Sequence, residues 1–153
     1  MNNQDLIIED GYNYLTGDVL VIGTDIEALL RNFENNSLVT YGIEYDKSLY
    51  RKGMEGKHQV LHGPITTENI SWFKSNSFDI IYVNDIRRSI INFNNFTEII
   101  KPFMHKYTNL YINIIGLNNE YYWNLQETLI KHKLKLTKNG KLKTHIKINL
   151  NNE

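Results

Sequence analysis

Gly23 and Glu44 are the residues from which a chemistry can first be argued. Gly23 ends a short apolar run, Val19-Leu20-Val21-Ile22, and Glu44 lies 21 residues further on, at the end of Leu38-Val39-Thr40-Tyr41-Gly42-Ile43. A glycine at the end of a strand lets the backbone approach a ligand closely, and the helix that follows offers unpaired amides. A carboxylate at the end of the adjacent strand can accept from both hydroxyls of a ribose. The pair points to a nucleoside without saying which one, because nicotinamide and adenosine ligands share this geometry. The alternatives are a glycine that only ends its strand and an acid that only faces solvent. Asn84-Asp85 follow the run Phe78-Asp79-Ile80-Ile81-Tyr82-Val83. There they either cap a loop or orient and deprotonate a substrate. Arg87-Arg88, just beyond, either open a solvated helix or meet an anion.

Other chemistries lack their residues. The chain has no cysteine, which excludes thiolate metal sites, disulfides and a cysteine nucleophile. Of the histidines, His58, His62, His105, His132 and His145, only His58 and His62 are four apart; they flank Gln59-Val60-Leu61, which reads as a strand rather than a helix, and no H-E-x-x-H occurs, so no metal site is expected. G-x-S-x-G and a phosphate loop ending in Gly-Lys-Ser/Thr are both missing, which removes support for hydrolase and P-loop readings.

The elements that must position these residues follow from hydrophobic periodicity. Strands are expected at 19–22, 38–43, 59–62, 78–83 and 110–115; those at 19–22, 59–62 and 110–115 stop at Gly and that at 78–83 at Asn84-Asp85. Ile26, Leu29, Leu30 and Phe33 form a helical stripe, with Thr24 or Asp25 as its N-cap. Short helices are expected at 46–51 and 67–73. A longer one runs from Phe93 to Tyr107, bent or restarted at Pro102, and another runs from Glu120 to His132 through Trp123, Leu125, Leu129 and Ile130. Leu6-Ile7-Ile8 suggest a helical turn before the main body. Residues 133–148 alternate with period two on either side of Asn139-Gly140, a strong hairpin signal. The chain reads as one domain over 1–153. Residues 1–16 form an N-terminal extension, 17–116 hold five βα units, and 117–150 hold the last helix and the hairpin. Strand–helix alternation implies a mostly parallel sheet with helices on both faces, an α/β class, with the hairpin at one edge.

This layout resembles that of class I S-adenosylmethionine-dependent methyltransferases, over roughly residues 17–150. Val19-Leu20-Val21-Ile22-Gly23 is similar to the family's first strand and the start of its glycine-rich motif. Tyr41-Gly42-Ile43-Glu44-Tyr45-Asp46 resembles the second-strand motif, whose acid binds the ribose hydroxyls. Ser77 to Asp85 resemble the fourth-strand motif that leads to the catalytic edge. The resemblance implies a Rossmann-like fold with the first strand between the second and the fourth. It also implies S-adenosylmethionine as cofactor, bound by Gly23, Thr24, Asp25, Glu44, Tyr45, Gly63 and Asn84. Methyl transfer to an unspecified acceptor would then have Asn84 and Asp85 as catalytic candidates. Transfer from a sulfonium needs positioning more than acid–base help. The chain departs from the family twice. Asp25 and Glu27 stand at the later glycine positions of G-x-G-x-G, and His62-Gly63-Pro64-Ile65 carries no acid for an adenine. The alternative reading is a catalytically degenerate domain that binds or scaffolds a partner protein or nucleic acid.

Composition adds partners and setting. The 21 Asn and 20 Ile beside a single Ala (Ala28) reflect the codon bias of an AT-rich genome. Residues 1–100 hold 8 Lys/Arg against 14 Asp/Glu, whereas 101–153 hold 9 Lys against 3 Glu. Seven lysines and no acid fall in 131–147. They either protect an amphipathic edge hairpin or form a surface for nucleic acid or an acidic protein. A homo- or hetero-oligomer is compatible with either reading. The longest apolar runs are far shorter than the ~20 residues that span a bilayer, and the polar, acidic N-terminus does not resemble a presequence. A cytoplasmic protein without membrane association is expected.

Overall fold

A computed structural model describes residues 17–35, 38–53, 59–73, 77–86, 92–141 and 144–151. The turn expected at Leu6-Ile7-Ile8, the Arg87-Arg88 pair and His58 lie outside the described residues.

Strand β1 (Asp18–Gly23) sits at the centre because it is apolar on both sides. Side chains alternate across a strand, so a run without polar residues must be covered on both faces. Leu20 and Ile22 enter one buried cluster, Val19 and Val21 the other, and all four are fully buried. Each such side chain contributes about 1.5–3 kcal/mol. Helix α1 (Glu27–Asn35) covers one face with Leu30 and Phe33, next to Ile26 of the preceding loop. Gly42 lets this helix settle onto the sheet, since a Cβ there would meet the Cδ1 atoms of Ile26 and Leu30 at 3.0 Å. On the opposite face lie Ile70 of α3 (Thr67–Ile70), Phe96 and Ile100 of α4 (Phe93–Ile100), and Leu125 and Leu129 of α5 (Asn119–Lys131). Helix α2 (Lys47–Gly53) is short and is capped by Asp46, whose Oδ1 accepts from the Ser48 and Leu49 amides at 2.9 and 3.1 Å.

The remaining strands are β2 (Val39–Glu44), β3 (Gln59–His62), β4 (Phe78–Val83), β5 (Met104–Asn113), β6 (Leu134–Lys141) and β7 (His145–Leu150). The sheet order is β3-β2-β1-β4-β5-β7-β6. Strands β1 to β5 pair in parallel, while β7 is antiparallel to both β5 and β6. The chain winds outward from β1 in both directions, leaving a topological switch point between the carboxyl ends of β1 and β4. This is the mostly parallel, doubly covered sheet with a terminal antiparallel pair that the alternation of elements predicts.

Four details differ from the sequence reading. The helix expected to reach Tyr107 ends at Ile100, and Lys101–Phe103 form a 3₁₀ turn with Pro102 near its start. Strand β5 starts at Met104 and stops at Asn113, instead of running 110–115. Its polar first half is tied to β4 by side chains: the Thr108 hydroxyl donates to the Phe78 carbonyl at 2.6 Å, and His105 Nε2 lies 2.8 Å from Asp79 Oδ1. Asn139-Gly140 lie inside β6, where the pairing register shifts between Leu136 and Lys141. Pairing then closes with Lys141 opposite Ile146, so the reversal falls later in the chain. On α5, Leu125 and Leu129 are buried, but Trp123 and Ile130 are 63% and 76% exposed.

No helix among the described residues is long and apolar enough to cross a membrane. Nor, among those residues, do three His, Asp or Glu side chains gather in a way that could hold a metal ion.

Candidate functional site

The loops after β1 and β4 carry the same local plan. In Gly23-Thr24-Asp25-Ile26 and Val83-Asn84-Asp85-Ile86, an aspartate in the left-handed region precedes a buried isoleucine. Asp25 has φ +57° and Asp85 has φ +56°, while Ile26 and Ile86 are each 1% exposed. Aspartate adopts this region more readily than most residues, yet the conformation still costs of order 1 kcal/mol. Strained polar residues of this kind persist where packing on either side fixes them, and they gather at functional sites. Here the buried isoleucines are the anchors.

Between these loops and the end of β5 lies a cavity of about 340 Å³, lined by Thr24, Asp25, Asn84, Asp85, Ile86, Asn113, Ile115 and Leu117. Its size falls at the lower end of the ~300–1,000 Å³ usual for small-molecule sites, and it occupies the switch point. Its polar wall is ordered by a chain of hydrogen bonds. Asn84 Nδ2 donates to the Thr24 carbonyl at 3.0 Å, Asn113 Nδ2 donates to Asn84 Oδ1 at 3.3 Å, and the Ile115 amide donates to Asn113 Oδ1 at 2.9 Å. Each amide fixes the next, so Asn84 is held from both sides. Among the described residues, the lining has two carboxylates and no cation.

Gly23 stands behind this wall. The Asn84 amide donates to the Ile22 carbonyl at 2.8 Å, which draws the two loops together. A Cβ at Gly23, where φ is +148°, would meet the Asn84 carbonyl oxygen at 1.9 Å. The missing side chain therefore makes room for the protein's own backbone. Glu27 leaves the cavity altogether: its Oε1 lies 2.6 Å from Arg31 Nη2, one helical turn on.

Glu44 is 2% exposed. Its Oε1 accepts from the Ile26 amide at 3.2 Å and its Oε2 from the Asp46 amide at 3.0 Å, so one carboxylate joins the loops that follow β1 and β2. Tyr45 is exposed, and its amide donates to the Gly23 carbonyl at 2.8 Å. Its carbonyl lies 3.1 Å from His62 Nε2. Gly63 has φ +116° with open space where a side chain would be, and its amide donates to the Glu44 carbonyl at 2.9 Å.

The structure thus gathers Gly23, Thr24, Asp25, Asn84 and Asp85 at the switch point, with Glu44, Tyr45 and Gly63 beside them over β2 and β3. Asn113 escaped the sequence reading. In the sequence it is a lone amide within the apolar run 110–115; only the register of the sheet, with Val83 opposite Ile112, brings it level with Asn84.

Neither a protein-family profile nor a curated protein matches this sequence. Solved structures do match its backbone. A TehB-like SAM-dependent methyltransferase from Corynebacterium glutamicum superposes with a TM-score of 0.72 at 10% identity, covering 95% of this chain and 85% of that one. The fold is class I methyltransferase-like. A SAM-dependent methyltransferase from Aquifex aeolicus gives a TM-score of 0.68 at 14% identity, covering 95% and 87%. Another, from Geobacter sulfurreducens and crystallised with S-adenosyl-L-homocysteine, gives 0.61 at 8% identity, covering 90% and 66%. Identities this low speak for the methyltransferase-like fold alone. The cavity lies at the point of this fold where open α/β sheets receive ligands.

Proposed function

We propose that this chain is an S-adenosylmethionine-dependent methyltransferase acting on an unidentified acceptor. The observation that carries the reading is the cavity at the β1/β4 switch point, with its two carboxylates and its oriented amides. S-adenosylmethionine carries a sulfonium, an ammonium and a carboxylate at its methionine end, a net positive charge, and a cavity walled by Asp25 and Asp85 suits the two cationic groups while requiring the carboxylate to point away from them. When bound, the cofactor supplies a methyl group already activated for transfer. Asn84, held by Thr24 and Asn113, offers a fixed amide for orienting an acceptor. Asp85 offers a carboxylate that can take its proton. The ribose side fits less well, because the Glu44 carboxylate is turned inward onto two amides of its own chain.

Calorimetry with S-adenosylmethionine and S-adenosylhomocysteine tests the reading. Micromolar binding of either ligand is expected. Asp85→Asn should weaken S-adenosylmethionine about tenfold and the uncharged thioether about twofold, since only the former presents a sulfonium to the lost charge. Equal losses for the two ligands would remove Asp85 from the charged end of the site.

The inward seat of Glu44 favours a second reading, a catalytically degenerate domain that serves as a binding subunit. No heat and no thermal stabilisation with either ligand at millimolar concentration would select it.

A further inference from the structure

The far edge of the sheet carries a feature that cofactor binding leaves unexplained. Trp123 and Ile130 lie seven residues apart on α5 and so share one side of it. Both are largely exposed, at 63% and 76%. Beside Ile130, a groove of about 290 Å³ runs between α5 and β6, lined by Gln126, Leu129, Ile130, Leu134, Lys135, Leu136 and Asn151. Strand β6 is the last strand of the sheet. Lys135 lines the groove, Lys131 and Lys133 are exposed and adjoin its lining residues in the chain, and no acidic residue occurs between Glu127 and Glu153.

We infer that this groove docks an extended acidic segment of a partner protein that carries large apolar side chains, laid alongside β6. Lysines alone can protect an edge strand from aggregation, but that role does not call for an apolar groove beneath them. A second copy of the chain would set lysine against lysine. A nucleic acid would meet the lysines and leave Ile130 and the partly buried Leu136 facing phosphates. A segment that alternates acidic and apolar residues satisfies both sets: its apolar side chains enter the groove, its carboxylates meet the lysines, and an edge strand is a ready site for an added strand. The inference is independent of the cofactor reading.

The test is fluorescence anisotropy on the full chain with three labelled probes: a short peptide of alternating glutamate and leucine, an all-glutamate peptide of the same length, and an oligothymidylate of matching charge. The alternating peptide should bind about tenfold more tightly than either other probe. Ile130→Ser should remove most of that advantage and leave all-glutamate binding unchanged. The side chain is exposed, so the substitution does not endanger folding. Equal affinity for all three probes would show a non-specific polyanion surface and overturn the proposal. So would tighter binding of the oligothymidylate, or an Ile130→Ser variant that binds the alternating peptide like the wild type. A dimer in sedimentation that disperses on Ile130→Ser would assign the groove to a second copy, again against the proposal.

Discussion

Alanine at position 23 is expected to destabilise the fold by about 4 kcal/mol, from backbone strain and overpacking together. Two effects coincide there. The backbone holds φ at +148°, which side chains disfavour, and the new Cβ would sit 1.9 Å from the Asn84 carbonyl oxygen. That oxygen cannot swing aside as the end of a flexible side chain would, because the Asn84 amide is hydrogen-bonded to Ile22 at 2.8 Å. Gly63→Ala separates the two effects. Its φ of +116° is also unfavourable, but nothing lies within 4 Å of its would-be Cβ. That variant should lose only about 1–2 kcal/mol, the strain alone. For a domain of this size the Gly23 variant should melt about 10 °C lower than the wild type. Far-UV circular dichroism during urea titration is the suitable probe, since Trp72 and Trp123 are 74% and 63% exposed and report poorly on the core. A Gly23→Ala protein within about 1 kcal/mol of the wild type would show that the β1 and β4 loops separate easily, and would return Gly23 to the role of a ligand-facing glycine.

The sheet was legible wherever apolar runs are short and bounded. Residues 59–62 and 78–83 form strands over those very spans, because Gly63-Pro64 and Asn84-Asp85 end the runs sharply. Strand β5 was legible only in its second half. Its first half, His105 to Asn109, has no apolar alternation and is held by Thr108 and His105 side chains whose partners, Phe78 and Asp79, are remote in sequence. Trp123 and Ile130 look like core residues in any periodic reading; only the tertiary arrangement shows that α5 turns its Leu125–Leu129 side inward. At the site, residue types located the switch point but not the direction in which side chains face. Asp25 and Glu27 are equivalent in the sequence as acids at glycine positions. The fold places one on the cavity wall in a left-handed conformation and pairs the other with Arg31.

Glu44 is where composition and geometry separate furthest, and its replacement is the second large effect expected. An acid at the end of the second strand reads as a group offered to solvent or to a ribose. In the fold it is 2% exposed and accepts from the Ile26 and Asp46 amides. Hydrogen bonds to a charged acceptor contribute about 1.5–3 kcal/mol each, and removing the acceptor strands the donors. Glu44→Ala should therefore lower stability by about 3 kcal/mol even without any ligand, because the loops after β1 and β2 lose their common tie. Glu44→Gln is the sharper variant. It keeps the volume but can offer only one oxygen, so its amide nitrogen must face one of the two backbone N–H groups. Thermal melts of both variants, with and without S-adenosylmethionine, distinguish two roles for the carboxylate. If Glu44 remains on the two amides in the complex, the ligand should raise the melting temperature of Glu44→Gln as much as that of the wild type, and the variant is simply less stable. If the carboxylate leaves those amides for the ribose hydroxyls, the ligand-induced rise should shrink in the variant, because binding then loses a partner that the free protein had used elsewhere. The first outcome makes Glu44 a clamp that shapes the cavity from behind; the second makes the same clamp a latch that the cofactor must open.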